Sequence, residues 1–159
     1  MTGSAERAAF IARHGALFEH SLWVVARAAE RLPLPDLHAG LMQVVRDATH
    51  DEQLALIRAH PELAGKAAVD GSLTEASAAE QASVGLDRLT RDEFDRFHAL
   101  NRAYVDRFGF PFILCVRLTD KAGILAAMER RLGNDRDTEI ATAIEQIGEI
   151  VRFRLELAP

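Results

Sequence analysis

Helical periodicity is clearest in the C-terminal stretch NDRDTEIATAIEQIGEIVRFRL, residues 134–155. Its apolar residues recur at spacings of three and four, which is the period of one face of an α-helix. Asn134 and Asp135 precede this pattern and are typical of a helix start. The stretch therefore predicts a long amphipathic helix that buries one face. The residues of this face are Ile140, Ile144, Ile147, Val151 and Leu155.

The same helical period continues towards the N-terminus. One stripe lies within residues 122–132, and another begins near Thr90 and runs to the stop signal at Gly109. The segment PFILCV at 111–116 has the composition of a strand but no partner strand, so it is interpreted as a buried extended connector. These patterns predict an all-α, single-domain bundle of about eight helices over residues 1–159. The shorter helices are predicted over residues 5–13, 22–31, 37–48, 51–59 and 74–82.

Composition narrows the possible partners and compartments. The net charge of −5 and the absence of basic residues interleaved with aromatic ones argue against nucleic acid. The longest apolar run, FGFPFILCV at 108–116, is far shorter than the roughly 20 residues that span a bilayer. The single cysteine, Cys115, excludes an internal disulfide, and no histidine spacing is typical of a metal site. We expect a cytoplasmic protein without membrane, nucleic-acid or metal partners.

The first candidate site residue is His60, in LIRAHPELAGKAA at 56–68. Because Pro61 disfavours the helical conformation of the preceding residue, a helix should end there and project the imidazole from its C-terminus. The helix dipole would favour a protonated ring, which suits a proton donor or a cation that binds an oxyanion. The alternative is a histidine that only caps the last carbonyls.

Two further groups are ambiguous in the same way. Ser77 and Glu80 have the Ser-x-x-Glu spacing of a capping box, although Glu80 and Gln81 at a helix start could also hold a polar ligand. Arg131 lies seven residues after Ile124 and so faces inward. A buried arginine needs a carboxylate or a bound anion, and the sequence leaves both open.

Five segments, taken together, resemble the OHCU decarboxylase family, whose substrate is 2-oxo-4-hydroxy-4-carboxy-5-ureidoimidazoline. The combination of His-Pro-x-Leu, Glu-Gln and Phe-Gly-Phe-Pro-Phe is specific, and the segments cover most of the chain in family order. They are FEHSLWV at 18–24, LIRAHPELAGKAA at 56–68, TEASAAEQASVGLDRL at 74–89, LNRAYVDRFGFPFILCV at 100–116 and RRLGNDRDTEIATAIEQIGEIVRFRL at 130–155.

The resemblance implies a carboxy-lyase that converts OHCU to (S)-allantoin in the third step of urate degradation, with no cofactor and usually as a homodimer. It implies that His60 and Glu80 are catalytic. Arg131 matches a family arginine, although Arg130 is adjacent and other arginines could serve. The substrate-binding residues implied by the resemblance are Pro61, Ser77, Ala78, Ala79, Glu80, Gln81, Phe112, Ile113, Leu114, Cys115, Val116 and Arg131.

The alternative function is a non-enzymatic helical adaptor, in which the inward polar residues are helix caps and structural pairs. The two hypotheses differ in one geometric respect. An enzyme must bring His60, Glu80, Gln81 and Arg131 into one cleft, whereas an adaptor would scatter them.

Overall fold

Nine α-helices make up most of residues 3–157, the part of the chain that the computed structural model describes, without the side chains of residues 66 and 67. No strand occurs in this part, so the all-α prediction is confirmed. The helices are α1 (Ser4–His14), α2 (Leu22–Ala29), α3 (Leu37–Asp47), α4 (His50–Arg58), α5 (Lys66–Asp70), α6 (Glu75–Ser83), α7 (Arg91–Phe108), α8 (Lys121–Arg131) and α9 (Arg136–Leu157).

Local sequence signals explain where several helices begin and end. Thr49 and Thr90 close reciprocal capping boxes at the starts of α4 and α7. Asp120 accepts a hydrogen bond from the Gly123 amide at the start of α8. Gly109 ends α7 in the left-handed conformation, with φ 78°, which glycine adopts without the steric cost of a Cβ.

The long helix α9 packs against α3 and α4, as its apolar stripe predicts. Ile147 and Val151 are buried in the common core. Gly148 lets α3 approach closely, because a Cβ at that position would lie 3.3 Å from Met42 Cε. The C-terminal helix α9 therefore packs in the centre of the bundle, with its apolar face in the core.

Residues 111–115 form neither helix nor strand and lead into a 3₁₀ turn, Val116–Leu118. This connector is largely buried, as predicted. The one helix that the sequence did not predict is α5, which has five residues and is too short to show a periodic apolar pattern. Within residues 3–157, no helix is long and apolar enough to cross a membrane. The single-domain boundary stays a prediction.

Candidate active site

A cavity lies where the end of α4, one face of α6, the connector and the C-terminal half of α9 meet. The space between these elements is about 490 Å³, a figure that includes the part open to solvent. Its lining joins segments that are far apart in the sequence. The lining residues are His60, Pro61, Leu63, Ser77, Glu80, Gln81, Phe112, Ile113, Leu114, Cys115, Val116, Arg117, Ile150, Phe153 and Arg154.

His60 follows the C-terminus of α4, where Pro61 prevents the helix from continuing. Its ring Nδ1 lies 3.0 Å from the carbonyl oxygen of Leu56. A carbonyl only accepts hydrogen bonds, so Nδ1 carries the proton and Nε2 of the neutral ring is an acceptor. Nε2 has no hydrogen-bond partner among residues 3–157. The histidine is thus a helix cap and a cavity residue at once.

The protonated ring expected from the helix dipole is not what the structure favours. Burial is the largest effect, and it lowers the pKa of His60 below its ordinary 6.5. The Leu56 carbonyl, Glu19 and Glu80 raise this pKa, and Arg154 lowers it, without reversing the effect of burial. Desolvation disfavours the charged imidazolium more than the single carbonyl and nearby carboxylates favour it. At neutral pH, His60 therefore offers the cavity a base rather than an acid.

Glu80 is held in the cavity wall by Arg154 of α9. The Arg154 Nε donates to Glu80 Oε2 at 2.8 Å, and Nη2 donates to Oε1 at 2.7 Å. This two-point geometry is the strong form of an arginine–carboxylate pair, and it fixes the plane of the carboxylate. The Glu80 carboxylate therefore has a defined orientation in the cavity, although its partner Arg154 is 74 residues away in the sequence.

A second carboxylate lies behind this pair. Glu19 accepts hydrogen bonds from Arg154 Nη2, at 2.7 Å, and from the Ser77 hydroxyl. Although burial by itself raises the pKa of the Glu19 carboxyl, the Ser77 hydrogen bond and the Arg154 charge together hold it below its usual value. Arg154 thus serves two carboxylates, and Ser77 is occupied by one of them.

Helix α6 starts earlier than the predicted capping box at Ser77. Thr74 is the N-cap, and its hydroxyl accepts the Ser77 amide at 3.2 Å. Glu80 therefore does not close a helix start, since it pairs with Arg154 instead. Ala78 and Ala79 are exposed and do not line the cavity, and their contact with a substrate stays a prediction.

Gln81 lines the cavity but also fastens the loop that carries His60 and Pro61. Its Oε1 accepts from the Ala64 amide at 2.9 Å, and its Nε2 donates to the Glu62 carbonyl at 3.2 Å. Ala64 has φ 54°, a left-handed conformation that is unfavourable for a residue with a Cβ. One N–H and one lone pair of the Gln81 amide are left for a ligand.

The connector lines the cavity, where the family resemblance predicts backbone contacts with the substrate, but not all of its backbone groups are free. The Cys115 amide donates to Gln146 at 2.9 Å, and the Ile113 carbonyl accepts from Arg131. Within the described residues, the Ile113 amide and both polar groups of the Leu114 backbone have no partner. These groups and the N–H and C=O of Phe112, which also have no partner there, are the connector's candidates for contact with a ligand.

Arg131 is a predicted site residue that the structure does not bring to the cavity. It is buried, its Nε donates to Glu139 at 2.8 Å, and its guanidinium lies 4.3 Å from the centre of the Phe112 ring. It is absent from the cavity lining. An inward arginine could pair with a carboxylate or bind an anion, and in the structure Arg131 pairs with the carboxylate of Glu139. Its Nη1 also donates to the Ile113 carbonyl, so Arg131 holds the connector in place.

Sequence reasoning missed Glu19, Arg117 and Arg154. A signal for Arg154 was present, because it lies seven residues after the buried Ile147, the same spacing that placed Arg131 on an inward face. Glu19 and Arg117 lie in turns, where no helical period indicates the direction of a side chain.

Comparisons with known proteins show the family of this chain. The family model of OHCU decarboxylase matches residues 3–156. The chain is 40% identical over 149 residues to a 2-oxo-4-hydroxy-4-carboxy-5-ureidoimidazoline decarboxylase from Haloferax volcanii, covering 92% of this chain and 86% of that protein. It is 41% identical over 144 residues to the uric acid degradation bifunctional protein PucL of Bacillus subtilis, covering 89% of this chain but only 28% of that longer protein.

Solved structures show the same architecture. A crystal structure of (S)-allantoin synthase superposes with a TM-score of 0.73 at 30% identity, covering 94% of this chain and 49% of that one. A second structure, of an OHCU decarboxylase, has a TM-score of 0.61 at 19% identity and bears on the fold alone. A family match across almost the whole chain, relatives of about 40% identity and a shared fold together assign this chain to the OHCU decarboxylase family.

Proposed function

We propose that this chain decarboxylates OHCU to (S)-allantoin, the third step of urate degradation. The observation that carries the proposal is the convergence on one cavity of three of the four residues expected there, His60, Glu80 and Gln81. A neutral imidazole nitrogen in this cavity has no partner in the described chain. An adaptor has no need for this arrangement. Family membership supports the same reaction.

The chemistry needs no cofactor, because the substrate accepts the electron pair itself. When the bond from the ring carbon to the carboxylate breaks, its electron pair moves into the conjugated ring nitrogen and carbonyl, and carbon dioxide leaves. The ring nitrogen that receives the charge takes up one proton from solvent. The proton of the substrate hydroxyl then moves to one face of the ring carbon that bears the ureido group, so the hydroxyl becomes a carbonyl and the product is chiral. The protein has to orient the substrate, stabilise the delocalised charge and control that proton.

The cavity residues fit these tasks. His60 Nε2 accepts the proton of the substrate hydroxyl as the carbon–carbon bond breaks, and the imidazolium that forms can return a proton to the ring. Glu80, fixed by Arg154, accepts hydrogen bonds from the N–H groups of the ureido substituent. We assign the free N–H of Gln81 and the free connector amides to the ring carbonyl, because Gln81 and the connector line the same cavity.

The direct test generates OHCU in solution from urate with the two preceding enzymes and then adds this protein. We expect rapid appearance of the circular-dichroism signal of (S)-allantoin. The matched control omits the protein and should give slow, racemic product. Racemic product at the control rate in the presence of folded protein would contradict the proposal.

The pH profile tests the protonation state assigned to His60. Since burial lowers the pKa of His60 below 6.5, we expect kcat/KM to be flat around neutral pH and to fall only as the pH drops through that lowered value. Glu19, Glu80 and Arg154 are the charged groups that act on this pKa. If the protonated ring were the reactive form, kcat/KM would instead fall as the pH rises through the same value.

The homodimer and the cytoplasmic location stay proposals of the family resemblance. Cys115 is a buried free thiol, which is compatible with a reducing compartment but does not require one.

A further inference from the structure

One arginine of the cavity lining forms no ion pair with any residue of the described chain. Arg117 lies in the 3₁₀ turn Val116–Leu118 and lines the cavity. Its side chain makes no ion pair and no hydrogen bond within residues 3–157, and its Nε is buried without a partner. A buried N–H of a charged group without an acceptor is costly, so this position favours an incoming anion.

Arg154, the other arginine of the lining, is already occupied. Besides its two bonds to Glu80 and one to Glu19, its Nη1 donates to the Leu17 carbonyl at 3.0 Å. One guanidinium with two carboxylates has a net charge of −1, which repels a further carboxylate. Charges interact strongly in a partly desolvated cavity, so an anionic ligand group is directed away from Arg154.

The geometry points to Arg117 as the residue that binds the carboxylate of the substrate, an inference that rests on the proposed decarboxylase function. Its guanidinium presents N–H donors in a planar fork that matches a carboxylate. The segment that carries it is held in place, because Gln146 fixes the Cys115 amide and Arg131 fixes the Ile113 carbonyl. Arg117 therefore approaches the cavity from a rigid wall.

The kinetic signature follows from the reaction. The carboxylate loses its negative charge as carbon dioxide forms, so an ion pair at this group stabilises the bound substrate at least as much as the transition state. An interaction of this kind raises affinity without raising the rate of the bound complex. Arg117 should therefore contribute to KM and not to kcat.

The test is the Arg117→Gln variant in the assay that generates OHCU from urate. We expect KM for OHCU to rise on the order of tenfold or more, as for loss of a charge-assisted hydrogen bond, with kcat unchanged or higher. Arg117→Lys, which keeps the charge but not the fork, should lie between. The matched control is Arg102→Gln, which removes an exposed arginine of α7 and should leave both constants unchanged. An unchanged KM in Arg117→Gln would overturn the inference.

The neutral product separates carboxylate binding from a structural role. (S)-Allantoin lacks the carboxylate, so its constant for product inhibition should change less than about twofold in Arg117→Gln. Parallel weakening of substrate and product would show that Arg117 only shapes the wall, and it would overturn the inference. Wild-type protein without any activity would instead refute the proposed function, so the two failures are distinguishable.

Discussion

Replacement of His60 by asparagine is expected to lower kcat for OHCU about 10²- to 10⁴-fold, the usual contribution of a positioned acid–base group. The reason is that the two ring nitrogens of His60 have different roles. Nδ1 is bonded to the Leu56 carbonyl, whereas Nε2 is the atom without a partner in the described chain. Asparagine can keep the first bond through its side-chain amide, but it has no basic nitrogen in place of the second.

The same variant separates catalysis from helix capping. Since only one hydrogen bond of His60 is at stake, the free energy of unfolding should change by about 1 kcal/mol or less. Circular dichroism and thermal melting measure this change, and the exposed histidine variant His98→Asn is the matched control. If His60→Asn kept full activity while His60→Ala unfolded the chain, the histidine would be a cap and the proposed chemistry would need another base.

Sequence periodicity predicted the helices because burial of one helix face leaves a regular pattern. Ile147 in α9 and Phe97 in α7 lie where a spacing of three and four puts them. Cap residues fixed helix ends in the same local way, as Thr90 does for α7. Helix α5 was missed because five residues hold little more than one turn.

The site was predictable where a local signal restricts the direction of a side chain. Pro61 stops α4 at His60, and the His60 ring does face the cavity that Glu80 lines. The partner of an inward charge was not predictable, because it is selected in three dimensions. Arg131 and Arg154 have the same spacing from a buried isoleucine, yet the first meets Glu139 and the second meets Glu80.

The protonation state of His60 was also not predictable from the sequence, because it too depends on residues that are distant in the sequence. The helix dipole is a local effect and can be read from the position after α4. Burial of the ring depends on the connector and on α9, which are distant in sequence, and it outweighs the dipole in setting the pKa.

The largest expected effect on stability comes from the buried pair of Arg131 and Glu139. The Glu139 side chain is fully buried, and it also accepts hydrogen bonds from Tyr104 and from Asn134. Arg131→Met would leave that carboxylate buried without its counter-charge, which typically costs about 3–5 kcal/mol. For a chain of this size, such a loss corresponds to a fall in Tm on the order of 10 °C. Urea unfolding measures the free energy directly.

Two variants make the result specific. Arg31→Met removes a pair with Asp47 whose side chains are 42% and 45% exposed, and it should cost less than about 1 kcal/mol. The double variant Arg131→Met with Glu139→Leu removes both charges and should recover part of the loss, because no unpaired carboxylate stays buried. The recovery is incomplete because the buried Tyr104 hydroxyl loses its acceptor. A double variant as unstable as Arg131→Met would contradict the assignment of the cost to an unpaired carboxylate.

This prediction also decides between the two roles that the sequence left open for Arg131. An arginine kept for a substrate anion would be unpaired before the substrate arrives, so its replacement would raise KM and leave the free energy of unfolding nearly unchanged. An arginine paired with Glu139 has the opposite signature, with a large loss of stability in the absence of any ligand. Because its Nη1 also binds the Ile113 carbonyl, the surviving folded fraction of Arg131→Met should bind substrate less well only through a loosened connector. Weaker binding of the neutral product in the same proportion would mark that indirect route, in contrast to the carboxylate-selective loss expected for Arg117→Gln.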